Sequence, residues 1–449
     1  MNEPLPDYFL ADLPRDAVLT PDMVAEACRN LKSNRARFLV DRNTASIIQL
    51  LSGLAEDWLV SDFPFRKQAL LESAALSGFA PATLARGLDA FFSQINRDNL
   101  ETLLEQELGH PLRLDQMIGS HTRAIARGPE LLVHITAGNV PAPALMSIVL
   151  GLLVRSAQFI KCATGTSGLV RLFAHSIYHR DPKLGACLEV AEWPGGRAHL
   201  EQPLFEAAEC VTATGADDTL ATIRNLLPPH VRFLAYGNRV SFAYIAREML
   251  TRHGARELAV KTALDVIAWN QLGCLSPHVI YLEIGGSAAP EQFSAFLSEE
   301  LQKVEAAEPR GAISVEEGAQ ITSKRGFYQV RAAASAETQL WQSPDSTAWT
   351  VVYEQDPQFQ LSCLNRFVFV KPVRDLADAL HGAASVKGKV STVALAAPRQ
   401  KSEDLALQLA RWGATRICPV GRMQNPPLTW RHDGRPALAD LITWTEWET

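Results

Sequence analysis

From about residue 130 onward, short apolar runs alternate with stretches of helical periodicity. The runs at 131–136, 158–162, 187–191, 210–213 and 231–236 read as strands. The stretches at 142–154, 167–178, 203–208 and 217–227 read as helices between them. The strand runs are mostly apolar, so each is expected to be covered on both faces. Strand–helix repetition of this kind implies a parallel sheet between two helical layers. Helices are then expected at 241–253 and 256–269, followed by a loop with Cys274 and a strand at 278–283. Further alternation runs to about residue 419, with helices at 290–306, 376–384 and 403–412 and strands near 350–353, 367–370, 391–395 and 415–418. Segment 310–362 has mixed polarity and takes no assignment. The first 112 residues read as helical, with Gly78 and Gly109 as helix stops.

The expected class is therefore α/β: two three-layer αβα units with parallel sheets, a helical N-terminal region and a C-terminal arm. The expected divisions are 1–120, 121–240, 241–420 and 421–449. A chain of 449 residues has the length for two or three domains. Its 43 basic and 49 acidic residues give a net charge of −6 and no electrostatic footprint for nucleic acid. The longest apolar stretch, 140–154, contains Pro141, Pro143 and Ser147 and stops at Arg155. That falls short of the roughly 20 residues of a membrane span. The N-terminus is acidic and lacks the pattern of a signal peptide, so a cytoplasmic protein is expected. The seven cysteines form no CxxC pair, which argues against a disulfide framework and against a metal site.

The sequence contains no GxGxxG after a strand, no GxxxxGK[ST], no HExxH and no GxSxG. Four other stretches carry chemistry. Cys274 follows Gly273 in a polar loop that enters an apolar strand (DVIAWNQLGCLSPHVIYLE, 265–283), a context that can expose a thiol. Its plain alternative is a buried small hydrophobe. Asn139 follows a strand end (VHITAGNVP, 133–141) and can aim an amide at a developing oxyanion, or simply make a turn. Lys161 ends the next strand (FIKCATG, 159–165) and can bind ribose or phosphate oxygens, or be solvated. Thr214 and Gly215 (TATGAD, 212–217) form a strand–helix junction of the kind that holds a pyrophosphate.

In this order, these motifs resemble the aldehyde dehydrogenase superfamily, and within it the bacterial-luminescence-type long-chain acyl-CoA reductases. The features are GNVP at 138–141, IK at 160–161, CLSP within 265–277 and GATRICPVGRMQNPPLTWRHDG at 413–434. The resemblance implies a helical region 1–120 packed on a nicotinamide-cofactor domain 121–240, a catalytic domain 241–420 and an arm 421–449. It implies Cys274 as the nucleophile that forms a thioacyl-enzyme and Asn139 as an oxyanion-hole donor. It places Lys161 on the adenosine ribose and Thr214 and Gly215 at the pyrophosphate. Where hydrolytic relatives carry a glutamate, this chain has Ala235, so water attack on the thioester is expected to be slow. Thr164 stands where NAD-preferring members often carry a glutamate, so NADPH is expected over NADH.

The activity implied is reduction of acyl-CoA, or of a carrier-bound acyl thioester, to an aldehyde. An acyl-protein synthetase partner and a homo-oligomer are further implications of the resemblance. Two other readings stay open. One is a cysteine-dependent acyltransferase or thioesterase without nucleotide; the other is a CoA-acylating aldehyde dehydrogenase running oxidatively. His278, four residues past Cys274, could be a base, but it and His134 read as hydrogen-bonded structural residues; His432-Asp433 resemble a metal or proton-relay pair but, beside Gly434, read as a structural turn. Trp430, Trp444 and Trp447 suggest a tail packed on another domain or subunit.

Overall fold

The computed structural model describes residues 5–14, 16–138 and 140–448. The N-terminal region is helical as expected: α1 (Pro21–Phe38), α2 (Thr44–Leu59), α3 (Pro64–Leu71), α4 (Ser73–Ser77), α5 (Pro81–Phe92) and α6 (Arg97–Leu108). Local chemistry sets the ends. The side chains of Thr20, Asn43 and Asn96 accept N-terminal N–H groups of α1, α2 and α6, and Gly109 closes α6 at φ 73°.

Next come β1 (Thr122–Arg127), β2 (Leu131–Ile135), α7 (Ala142–Leu153), β3 (Ala157–Cys162), α8 (Gly168–Arg180), α9 (Pro182–Gly185), β4 (Leu188–Glu192), α10 (Ala198–Ala207), β5 (Cys210–Thr214), α11 (Asp217–Leu226) and β6 (Arg232–Tyr236). Trp58 of α2 is fully buried, stacks on Phe92 of α5 and donates Nε1–H to Ser176 Oγ of α8 at 3.0 Å. The helical region is thereby fixed to this α/β unit. No helix of the described residues is long and apolar enough to cross a membrane.

The chain continues through β7 (Val240–Ile245), α12 (Arg252–Ile267), β8 (Pro277–Glu283), α13 (Pro290–Ala307), α14 (Val315–Ala334), β9 (Thr338–Gln342), β10 (Thr350–Glu354), β11 (Phe367–Val373), α15 (Leu376–Gly382), β12 (Val390–Ala396), α16 (Arg399–Trp412), β13 (Arg416–Pro419) and β14 (Thr443–Glu448). Among the described residues the strands form three sheets. A five-stranded parallel sheet has the order β4-β3-β2-β5-β6, and a seven-stranded one the order β13-β12-β7-β8-β11-β10-β9. In the larger sheet β9 alone runs antiparallel among the described strands. β1 and β14 pair antiparallel as a separate ribbon.

Two expectations need correction. The helix expected at 241–253 is the inner strand β7 followed by a short 3-10 turn, Arg247–Met249. A strand covered on both faces is continuously apolar, and so short a run has no period that separates it from a buried helix. In the 310–362 segment α14 and β9 have no counterpart among the expected elements, whereas β10 is the strand expected near 350–353.

This topology sets the site. In the small sheet the strand order reverses at β2, and the carboxyl ends of β2, β3 and β5 meet beside that point, where open parallel sheets bind ligands. β6 then runs through Gly237–Arg239 straight into β7.

Candidate active site

Cys274 is held by an unusual piece of backbone. α12 is followed by a turn in which Trp269, Asn270 and Gln271 are all left-handed, with φ of 51°, 50° and 65°. A second left-handed trio, Leu364, Asn365 and Arg366, precedes β11 with φ of 57°, 53° and 65°. Such backbone is costly for residues other than glycine and persists only where its surroundings over-determine it. Here the two trios lock together. Arg366 donates Nε–H to Asn270 Oδ1 at 3.1 Å. Gln271 donates Nε2–H to the carbonyls of Pro277 and Phe367 and accepts from Phe367 N–H, each at 2.8 Å. The amide of Gln271 thus ties the start of β8 to the start of β11.

The thiol loop follows at once. Ser276 N–H donates to Gly273 C=O at 2.9 Å. Ser241 Oγ donates to Cys274 C=O at 2.7 Å, and Gln424 Nε2 to Ser276 Oγ at 2.6 Å. Residues of β7 and of the C-terminal tail therefore fix the turn. Cys274 keeps some exposure as a residue, while its thiol lies deep. Burial pushes that thiol up to about 12, and the charge of Asp433 pushes the same way. The N–H groups of Cys274 and Leu275 and the cation of Arg239 act against them. Asp433 Oδ2 sits 3.2 Å from Arg239 Nε, and the Asp433 side chain is 3% exposed.

The other half of the site lies at the strand ends of the small sheet. Lys161 is 4% exposed, and its Nζ makes no hydrogen bond or ion pair with any described residue. It lies over the Trp193 ring at 5.8 Å. Burial draws its pKa down, while Glu201 and Glu192 hold it up. A buried ammonium without a partner is costly, so Lys161 is poised to donate to a hydroxyl or phosphate. A Cβ on Gly138 would come within 2.4 Å of Thr166 Cγ2, so glycine lets the two loops close together. Thr164 is exposed at the rim. Gly215 donates N–H to Tyr236 C=O at 3.2 Å, and a Cβ there would meet nothing nearer than Thr219 at 3.8 Å. The space before it is open. A cavity of about 50 Å³ reaches from Ser77 to Gly138 and Thr166, room for a water or two. These groups fit a dinucleotide laid along the open strand ends. Tyr236 links the halves, because its ring stacks on His432 at 4.8 Å.

The chain matches the family described as acyl-CoA reductase (LuxC) over residues 39–444. It belongs to that family. Among its relatives is the long-chain acyl-protein thioester reductase of Aliivibrio fischeri, 23% identical over 420 residues, covering 91% of this chain and 83% of the relative. The protein of the same description from Vibrio harveyi is 22% identical over 420 residues, covering 92% and 84%. Among solved structures, an NAD-dependent benzaldehyde dehydrogenase from Corynebacterium glutamicum superposes with a TM-score of 0.72 at 13% identity, over 96% of this chain and 90% of the other. The putative aldehyde dehydrogenase PutA from Anabaena variabilis gives 0.69 at 16% identity, over 96% and 93%. The fold of this acyl-CoA reductase is thus the aldehyde dehydrogenase fold.

Asn139 lies outside the described residues. The two histidines read as structural are so bonded. His134 meets Thr212 Oγ1 at 2.7 Å and Gln158 Oε1 at 3.0 Å, and His278 Nδ1 meets Ser362 Oγ at 3.0 Å. The turn expected at His432-Asp433 is present, and in it Asp433 pairs with Arg239, while its charge acts on the Cys274 thiol. Arg239 and the Asn270–Gln271–Arg366 lock were not singled out from the sequence, and Asp433 was read only as part of a turn. Left-handed backbone at non-glycine residues leaves no compositional mark. The one available signal was the Asp-Gly pair inside the GATRICPVGRMQNPPLTWRHDG stretch.

Proposed function

We propose that this acyl-CoA reductase converts a fatty acyl thioester to an aldehyde through a thioester to Cys274. The observation that carries it is the position of Cys274, on a locked loop between α12 and the start of β8, tied to β7 and to the C-terminal tail. Sγ attacks the acyl carbon and the carrier thiol departs. The N–H of Cys274 and the amide of Asn139 receive the oxyanion; losing one such donor costs about 10²–10³-fold in rate. When bound, the nicotinamide cofactor supplies the hydride that takes the acyl group to the aldehyde. Lys161, Thr164, Thr214 and Gly215 hold that cofactor. NADPH is the preferred form, because residue 164 carries no carboxylate to repel a 2′-phosphate. Ala235 puts no base on β6 to activate water, so the acyl group waits for reduction.

The relatives' names support a protein-bound acyl thioester beside acyl-CoA as donor, and an acyl-protein synthetase as the partner that delivers it. The described cysteines are free thiols, which suits a reducing cytoplasm. The test is intact mass after incubation with a long-chain acyl-CoA and no nucleotide. A single acyl adduct is expected on the wild type, none on Cys274→Ala, and discharge to aldehyde on adding NADPH. An adduct on Cys274→Ala, or CoA release without adduct or NADPH effect, overturns the proposal; the second favours a thioesterase or acyltransferase.

A further inference from the structure

We propose that α5 of the N-terminal helical region positions the nucleophile: Gly87 leaves a slot for the Trp269 ring, and that contact sets the turn that presents Cys274. The inference deepens the proposed function, since it rests on Cys274 being the acyl-accepting thiol.

The chain changes cores just before the nucleophile. Val266 and Ile267, at the end of α12, lie in the apolar core of the seven-stranded sheet. Trp269 lies instead in the core that holds Phe79, Leu84 and Leu88 of the helical region, and Leu272 packs against that same core. The Trp269 ring stands edge-on to Phe79 at 5.2 Å. It also fills the space beside α5, because a Cβ on Gly87 would lie 2.2 Å from Trp269 Cζ2 and Cη2. Glycine weakens the middle of a helix, so its place in α5 calls for a packing reason. The ring of Trp269 is that reason.

Two hydrogen-bonded turns carry the position of Trp269 to the thiol. Leu272 N–H donates to Trp269 C=O at 2.9 Å, and Ser276 N–H donates to Gly273 C=O at 2.9 Å, with Cys274 inside the second turn. A second path from α5 reaches the same backbone. Thr83 Oγ1 donates to Glu308 Oε1 at 2.9 Å, and Arg86 Nη1 to Glu308 Oε2 at 2.7 Å. The Glu308 carbonyl accepts from Arg366 Nη1 at 3.0 Å. Arg366 holds Asn270 Oδ1, and Asn270 Nδ2 donates to the Arg310 carbonyl at 2.9 Å. Trp269 and Asn270 are left-handed, so they keep that shape only where their surroundings impose it. α5 supplies part of those surroundings, through the ring of Trp269 and through Glu308 to Arg366. Gly87, Trp269 and Glu308 are therefore positioning residues, acting on the thiol through the backbone that presents it.

The test is acyl-adduct formation on the full chain, followed by intact mass over a range of long-chain acyl-CoA concentrations without nucleotide. Alanine is the better helix former, so Gly87→Ala favours α5 itself and harms only the fit of Trp269. Its maximal acylation rate is expected to fall about 10-fold or more, with half-saturation within about twofold of wild type, because small displacements of a reacting group are costly. Trp269→Phe removes the ring atoms that meet the new Cβ. Gly87→Ala combined with Trp269→Phe is expected to acylate within about threefold of Trp269→Phe alone. Glu308→Gln breaks the ion pair to Arg86, and its maximal rate is expected to fall about threefold. Leu100→Ala is the control: it lies in the same core on α6, and it is expected to lower the melting temperature with acylation unchanged. Iodoacetamide alkylation of Cys274, read by peptide mass, reports on the turn without an acyl donor. It is expected to be at least about threefold faster in Gly87→Ala and unchanged in Leu100→Ala. Wild-type acylation and alkylation in Gly87→Ala overturn the inference and leave the proposed function intact. So does a loss that Trp269→Phe does not relieve, or one that Leu100→Ala shares. An adduct on Cys274→Ala, or none on the wild type, overturns the proposed function, and the alkylation rates still decide the role of α5.

Discussion

Glu192 closes β4 with both carboxylate oxygens on the turn that follows β3. Oε1 accepts Gly165 N–H at 2.7 Å and Oε2 accepts Ser167 N–H at 3.1 Å. The sequence drew attention to Thr164, where the absence of a carboxylate favours a 2′-phosphate. The structure restores a carboxylate to the same rim from the neighbouring strand. Its negative charge acts on Lys161 and on any phosphate beside Thr164. Glu192→Gln keeps one acceptor and removes the charge. The ratio of kcat/KM for NADPH over NADH is expected to rise severalfold, measured as initial rates of aldehyde formation from a long-chain acyl-CoA. An unchanged ratio assigns Glu192 to the turn alone.

At the scale of elements, the tail is bolted to the helix before the nucleophile. Asp265 of α12 accepts N–H from Gly421 and Met423, at 2.6 and 2.9 Å, and burial pushes its carboxyl up to about 7. An unfolded aspartate titrates near 3.8. Between those values the native state holds the extra proton, so stability falls as pH rises through that window, by at most about 1.4 kcal/mol per unit. Asp265→Asn is expected to flatten that slope in denaturant unfolding. It is also expected to cost about 1–3 kcal/mol at pH 5, because its NH₂ opposes one backbone N–H. A slope equal to wild type contradicts this account. The same element shows what the sequence could tell. Cys274 and the β-α alternation were legible because nucleophile loops and buried strands have a local pattern. Asp265 was visible within its motif but ambiguous, since its partners lie about 155 positions away. β7 misled because a run of six residues, five of them apolar, suits either period. Arg239 and Asp433 gain their meaning only when β6–β7 and the tail converge.

At the scale of the whole molecule, β1 and β14 join segments more than 300 positions apart, Thr122 opposite Glu448 and Arg127 opposite Thr443. A two-stranded ribbon is marginal in water without a covering surface. β14 is exposed along its length, with Trp444 and Trp447 at 40% and 50% exposure. Arg113 and Arg123 lie over those rings at 5.8 and 5.4 Å, holding them flat. The second edge of β14 pairs with no described strand. An unpaired edge beside rigid aromatic rings is a surface made to be covered. A second copy of the chain is the occupant we propose, since an unpaired edge strand is a template for pairing with another chain. Light scattering at about 10 μM is expected to give at least a dimer. Trp444→Ser with Trp447→Ser is expected to weaken association at least about tenfold, a loss of about 1.4 kcal/mol. Acylation of Cys274 is expected to be unchanged in that variant, because neither ring belongs to the thiol loop. A monomeric wild type, or a double variant that assembles as well as wild type, removes the arm as the interface.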